Sequence, residues 1–112
     1  MEGLTQEQIH EEARQLYEAE KDKRVLRPFT EKYPQIDPEE SYRIQLALIG
    51  MKQADGAKVV GKKIGLTSKA MQKMPNVDQP DYGHILDNMV LQDAAVFRVR
   101  ELIQPKIEPE IA

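Results

Sequence analysis

Lys58-Val-Val-Gly-Lys-Lys-Ile-Gly-Leu66 is where the chain changes its period. Val60, Ile64 and Leu66 alternate with Val59, Gly61, Lys63 and Gly65, a repeat of two that assigns the two sets to opposite sides of a strand. Upstream the repeat is helical. Thr5 followed three residues later by Gln8 forms a capping box, and Ile9, Ala13, Leu16 and Tyr17 then recur at helical spacing to about Arg24. The outward residues of this helix, including Glu11, Glu12, Arg14, Glu18 and Lys21, read as a solvated face. Residues 25–38 contain Pro28, Pro34 and Pro38, which predicts an extended connector that cannot be helical throughout, with Phe29 as a candidate for burial. Asp37, Pro38 and Glu40 supply the cap, the first-turn proline and the box acid of a second helix. That helix carries Tyr42, Leu46 and Ile49 on one face, and Gly56 stops it.

Downstream, Ser68 can cap a short helix over residues 68–74, and residues 75–83 are dense in turn formers. Residues 84–91, 95–99 and 106–111 read as further short strands. Two helices followed by a run of strands is a segregated pattern, which indicates an α+β fold and argues against alternating βαβ units. The last strand pattern still runs at Ala112 with no turn residue or polar tail, so the chain is expected to stop inside an element. No internal repeat or low-complexity tract interrupts it.

Composition narrows the function classes. A chain of 112 residues with 40% hydrophobic content buries one modest core, so one folded unit is expected. Its 16 basic and 19 acidic residues are interleaved, for a formal charge of -3, and no basic block exists to track a phosphate backbone. Nucleic acid is therefore a poor candidate partner. The absence of cysteine removes disulfides and thiolate chemistry and agrees with a reducing cytoplasm. The polar, acidic start lacks the basic end and apolar run of a secretory signal, and no long apolar segment follows, so a cytoplasmic protein without a membrane span is expected.

Three groups of residues could carry chemistry. Glu108 and Glu110 lie in Gln104-Pro-Lys-Ile-Glu-Pro-Glu-Ile-Ala112, where Ile107, Pro109 and Ile111 take the alternate positions. On a strand, side chains two apart share a face roughly 7 Å apart at the backbone, close enough for both carboxylates to converge on one hard cation such as Mg or Mn. The plainer reading, an exposed face with the isoleucines inward, takes precedence on spacing alone. Lys63 is flanked by Gly61 and Gly65 on its own strand face, so no neighbour on its own strand covers it. It is either a surface lysine or one placed against an anionic substrate or in proton transfer, and spacing alone leaves both open. Lys62, on the other face, reads as a surface lysine. Asp78-Gln-Pro-Asp81-Tyr-Gly83 is explained by turn chemistry at Asp78, and neither His10 nor His84 has a partner at ligand spacing.

Taken in order and with their gaps, Gly61-Lys-Lys-Ile-Gly-Leu-Thr-Ser-Lys-Ala-Met-Gln72, Val77-Asp-Gln-Pro-Asp-Tyr-Gly83 and Pro105-Lys-Ile-Glu-Pro-Glu-Ile-Ala112 resemble the 2-keto-4-pentenoate hydratase family. That family includes 2-hydroxypentadienoate and 2-oxohept-4-ene-1,7-dioate hydratases and 4-oxalocrotonate decarboxylases, within the fumarylacetoacetate hydrolase superfamily. The likeness extends through the helical lead-in with Arg27-Pro-Phe-Thr30. Three motifs in register are more specific than any one of them.

The resemblance implies that Glu108 and Glu110 are ligands of a divalent Mg or Mn, with a third acidic ligand further along the family's chain. It implies that Lys63 is an active-site lysine and Asp81 an acidic residue near the substrate. It further implies a helical N-terminal region, residues 1–57, and the start of a mixed β-barrel-like catalytic core, residues 58–112, truncated here. The implied activity is hydration of 2-hydroxypenta-2,4-dienoate or a close homologue to a 4-hydroxy-2-oxo acid in aromatic meta-cleavage catabolism. The partners implied are a small 2-oxo acid substrate, further copies of the chain in a homo-oligomer, and a pathway decarboxylase or hydratase in complex. Two alternatives are a 4-oxalocrotonate decarboxylase and a non-catalytic assembly or binding fragment. The Pro80-Asp-Tyr-Gly83 motif leans towards the hydratase.

Overall fold

The computed structural model describes residues 3–73 and 80–111. Two helices that run in the same direction, α1 (Gln6–Asp22) and α3 (Pro38–Ala54), pack on each other through Ile9, Ala13 and Ile44, with Leu16, Phe29 and Leu48 closing around them. Both helix starts follow from local sequence. Thr5 and Gln8 exchange side-chain and backbone hydrogen bonds, as do Asp37 and Glu40, so each box satisfies amide groups that a helix start leaves without partners. The Glu40 carboxylate also accepts from the Leu4 amide, tying the entrance of α1 to the start of α3. At the far end of α3 the chain turns through Gly56 at φ 103, a left-handed conformation that glycine adopts without strain.

The connector holds one helical turn, α2 (Phe29–Lys32), between extended stretches. α2 is held by Glu12, which is not on the solvated face of α1 as its spacing implies. Glu12 is 3% exposed, and its carboxylate accepts from Lys32 Nζ at 2.5 Å and from the Tyr33 hydroxyl at 3.1 Å. A buried carboxylate persists only with such partners, and these two come from the segment that a helical pattern cannot foresee. The face of α3 also differs from expectation. Ile44 and Ile49 are buried, whereas Tyr42 and Leu46 stay exposed, because α3 meets α1 through Ile44, Ala47, Leu48 and Met51.

β1 (Val59–Gly65) pairs antiparallel with β2 (Asp81–Leu86) in a two-stranded sheet. Asp81, Tyr82 and Gly83 therefore belong to a strand, not to a turn. The register is Lys63 opposite Gly83 and Gly65 opposite Asp81, with a bulge between Val59 and Gly61. The bulge corrects the simple alternation, since it places Val59 opposite the fully buried Leu86 while Gly61 sits opposite Ile85. β1 stops at Gly65 because Leu66 turns left-handed, at φ 53, so Leu66 does not continue the strand.

A short helix, α4 (Lys69–Lys73), follows, with Ser68 Oγ accepting from the Met71 amide as a cap. Met74 and the turn residues through Gln79, Asp78 among them, lie outside the described residues. Of the expected later strands, the one over residues 84–91 forms only at residues 84–86, as the end of β2, and the other two do not form. Residues 87–89 and 99–101 are single 3-10 turns, and residues 106–111 belong to no helix or strand. Pro105 and Pro109 withhold two amides there, and Ile107 and Ile111 are 96% and 103% exposed, so no buried face selects strand pairing. A barrel core is not seen among the described residues. The fold is α+β, as expected.

Candidate functional site

The sheet sorts its residues onto two faces. Tyr82 and His84 share a face with Ile64 and Lys62, their partners across the pair, and α3 reaches this side. Gln45 Nε2 donates to the Tyr82 carbonyl at 3.0 Å, while Gln45 Oε1 meets His84 Nδ1 at 2.6 Å. Tyr42 stacks on the His84 ring with centroids 6.0 Å apart. His84 thus has a structural role, aligning β2 on α3, which spacing alone did not reveal.

The other face carries Lys63 and Asp81. Residues paired across an antiparallel sheet lie on the same side, and so do residues two apart along a strand. Asp81 is paired with Gly65, two residues from Lys63, so the two charged side chains share a face on a diagonal. Each faces a glycine. A Cβ at Gly83, directly opposite Lys63, would meet nothing within 4 Å, and one at Gly65 would only touch the Asp81 Cβ at 3.9 Å. The glycines leave the lysine open space, as its own strand suggested and as the partner strand repeats.

Into this space comes residue 110, far along the chain. Lys63 Nζ lies 2.7 Å from Glu110 Oε1, with the two side chains 47% and 49% exposed. The hydrogen bond from Lys63 to Glu110 holds the ammonium above the usual lysine range, and the Glu110 charge adds to it. Slight burial opposes the shift, and the charges of Glu108 and Asp81 reinforce it. Of the four residues singled out from sequence, Glu110, Glu108 and Asp81 thus all act on the fourth, Lys63. The sequence could not show that Glu110 spends a carboxylate oxygen on Lys63.

One further residue shapes this corner and carries no sequence signal. Gln72 is buried, and its Nε2 donates to the Leu66 carbonyl at 2.9 Å, fixing the left-handed turn that ends β1. A buried glutamine on a short polar helix has no periodic signature. On the α3 side, a cleft of about 760 Å³ runs between the start of that helix and the start of β2, with Asp37, Tyr42, Gln45 and Asp81 in its lining. Asp81 stands between this cleft and Lys63.

As donors for a hard cation, Glu108 and Glu110 have the right chemistry, being carboxylates two apart along the chain. They are too few for a full shell of roughly six oxygens. Among the described residues no three His, Cys, Asp or Glu side chains gather as a metal-holding group. The pair fits a divalent cation whose remaining ligands are water, substrate oxygens or residues beyond those described. No helix among the described residues is long and apolar enough to cross a membrane.

No protein-family model matches the chain. It is 42% identical over 106 residues to the 2-hydroxyhexa-2,4-dienoate hydratase of Comamonas testosteroni, covering 93% of this chain and 40% of that protein. It is 41% identical over 105 residues to the 2-hydroxypent-2,4-dienoate hydratase of Pseudomonas putida, covering 93% and 47%. Against the 2-oxo-hept-4-ene-1,7-dioate hydratase of Escherichia coli the identity is 40% over 100 residues, covering 89% and 38%. Among solved structures, the 4-oxalocrotonate decarboxylase from Pseudomonas putida G7 complexed with calcium and acetate superposes with a TM-score of 0.73 at 32% identity. That superposition covers 79% of this chain and 34% of the decarboxylase. The same enzyme complexed with magnesium and adipate gives a TM-score of 0.72. The resemblance read from the sequence is borne out: the chain is a relative of the 2-keto-4-pentenoate hydratases, and it spans between 38% and 47% of the length of the three hydratases named here.

Proposed function

We propose that this chain carries part of the active site of a metal-dependent hydratase, a hydro-lyase that converts 2-hydroxypenta-2,4-dienoate or a close homologue to a 4-hydroxy-2-oxo acid in the breakdown of aromatic compounds. The observation that carries this reading is the contact of Lys63 with Glu110, which joins the glycine-flanked lysine to the paired glutamates. The hydratase names of the three relatives support the activity. The activity belongs to the whole protein, with residues 1–57 as its helical region and residues 58–112 as the beginning of its catalytic core.

In this reading Glu108 and Glu110 hold a divalent cation, Mg or Mn, as the calcium and magnesium complexes of the related decarboxylase support. When bound, such a cation supplies Lewis-acid stabilisation of negative charge on the oxygens of a 2-oxo acid. Lys63 and Asp81 do the rest from one sheet face. Ketonisation of a dienol takes a proton from the 2-hydroxyl oxygen and delivers one to carbon, and hydration then takes a proton from water, whose oxygen bonds to one carbon, and gives a proton to the neighbouring carbon. A cationic amine beside a carboxylate provides a donor and an acceptor for these transfers. Lys63 also offers its positive charge to the carboxylate of the substrate.

A second reading, decarboxylation of 4-oxalocrotonate, is favoured by the structural likeness to that decarboxylase. One comparison separates them. A protein carrying this segment at the length of its relatives is assayed for hydration of 2-hydroxypenta-2,4-dienoate and for CO2 release from 4-oxalocrotonate, with Mg, with Mn and with chelator. Cation-dependent hydration is expected to dominate. In that protein Lys63→Ala lowers kcat with cation content intact, and Glu108→Gln loses the cation-dependent rate. Unchanged turnover in the lysine variant removes Lys63 from the site. Assembly into a homo-oligomer, and association with a pathway decarboxylase or hydratase, belong to the same proposal, as does a cytoplasmic location.

A further inference from the structure

We propose that the Lys63 ammonium and a divalent cation are alternative partners of the Glu110 carboxylate, so that the Lys63–Glu110 bond is a latch that a cation opens. The inference rests on the reading of Glu108 and Glu110 as a cation-holding pair. Three observations carry it. First, Nζ sits 2.7 Å from Oε1, where it occupies a carboxylate oxygen and sets a positive charge against any cation approaching that group.

Second, the latch is the tie that holds its segment. Among the described residues, residues 105–111 belong to no helix or strand and make no backbone hydrogen bond, and Ile107 and Ile111 stand in solvent. Glu110 reaches the sheet through Lys63. Third, Lys63 has somewhere to go. Gly61 and Gly65 flank it, Gly83 faces it with no atom within 4 Å of an added Cβ, and Asp81 lies on the same face one diagonal step away. An ammonium displaced from Glu110 has Asp81 as its next carboxylate. Cation binding then does two things at once: it takes over Glu110 and moves Lys63 beside Asp81, the residue with which it is proposed to share proton transfer.

The test uses a protein carrying this segment at the length of its relatives, with Mn2+ alone and no substrate, and affinity is read from water-proton relaxation. Removing the competing charge in Lys63→Met or Lys63→Gln is expected to tighten Mn2+ binding by roughly two- to fivefold, the span of a half-exposed ion pair. Lys63→Arg, which keeps the charge, stays near the parent value. Glu110→Gln weakens binding and abolishes the gain from the lysine substitutions when combined with them. Amide resonances of Ile107 and Ile111 provide a second readout, because Mg2+ added to the parent chain is expected to move them as Lys63→Met does without cation. Equal or weaker Mn2+ binding in both Lys63→Met and Lys63→Gln overturns the latch while leaving the cation pair standing. No Mn2+ uptake by any variant overturns the cation pair and the latch together.

Discussion

Glu12 shows how a single side chain can fix the path of a connector. Its carboxylate is buried on α1 and bonded to Lys32 and Tyr33, so it holds α2 against the helix pair. Glu12→Ala is expected to cost about 1–3 kcal/mol in urea unfolding, the range for a lost buried hydrogen-bonding group. Glu12→Gln keeps an acceptor for Tyr33 and costs less. The same cluster has an alkaline signature. The Lys32 amine is pushed up, first by its hydrogen bond to Glu12, and the Tyr33 phenol is pushed up, first by burial and then by that carboxylate. Groups that hold their protons more tightly when folded add stability that is complete below their ordinary values and fades as pH climbs through the raised ones. Stability should therefore fall on the alkaline side of the lysine and tyrosine range, and Lys32→Met combined with Tyr33→Phe should flatten that fall in a pH series of urea midpoints. A slope that persists in the double variant locates the alkaline loss elsewhere.

The elements differ in how far the sequence discloses them. Both capping boxes and the Gly56 stop are legible because they depend on residues three or four apart. The buried face of α3 is not, because that helix is apolar on several sides and lies between α1 and the sheet, so periodicity alone does not choose which side meets which neighbour. The alternation of residues 106–111 looks like a strand, but a strand needs a partner and free amides, and prolines at 105 and 109 remove two of them. The site was legible as residue types, with Lys63, Asp81, Glu108 and Glu110 all named from motifs. Their pairing was not, since register across β1 and β2 and the return of Glu110 are long-range facts. That register makes Gly83 a sharp test. An alanine there meets nothing within 4 Å and suits a strand better than glycine, so Gly83→Ala should fold with stability equal to the parent or about 0.5–1 kcal/mol higher. It nonetheless narrows the space opposite Lys63, and under the proposed hydratase function it should lower kcat in a protein carrying this segment at the length of its relatives. Full activity with raised stability shows that Lys63 does not need the vacancy.

Across the whole molecule, most of the apolar burial lies in the helix pair, and Leu86 of β2 is the buried residue of the sheet. The helix pair holds Ile9, Ala13 and Ile44, whereas the sheet rests on α3 through one face and leaves Val60 and Ile64 58% and 59% exposed. Val96, Ile107 and Ile111 add apolar surface that no described element covers, and Phe97 is half exposed. Neither strand has a second neighbour among the described residues, so each offers a row of unpaired backbone groups beside exposed β-branched side chains. The 112-residue chain by itself should therefore associate as its concentration rises, with the sheet as the contact. Val60→Lys combined with Ile64→Lys places charge on that ribbon and should shift sedimentation velocity profiles towards monomer, while helical circular dichroism stays unchanged because α1 and α3 do not depend on those positions. If the double variant associates as strongly as the parent chain, the contact lies instead in residues 90–111, where Phe97→Lys and Ile107→Lys are the substitutions that should then dissolve it.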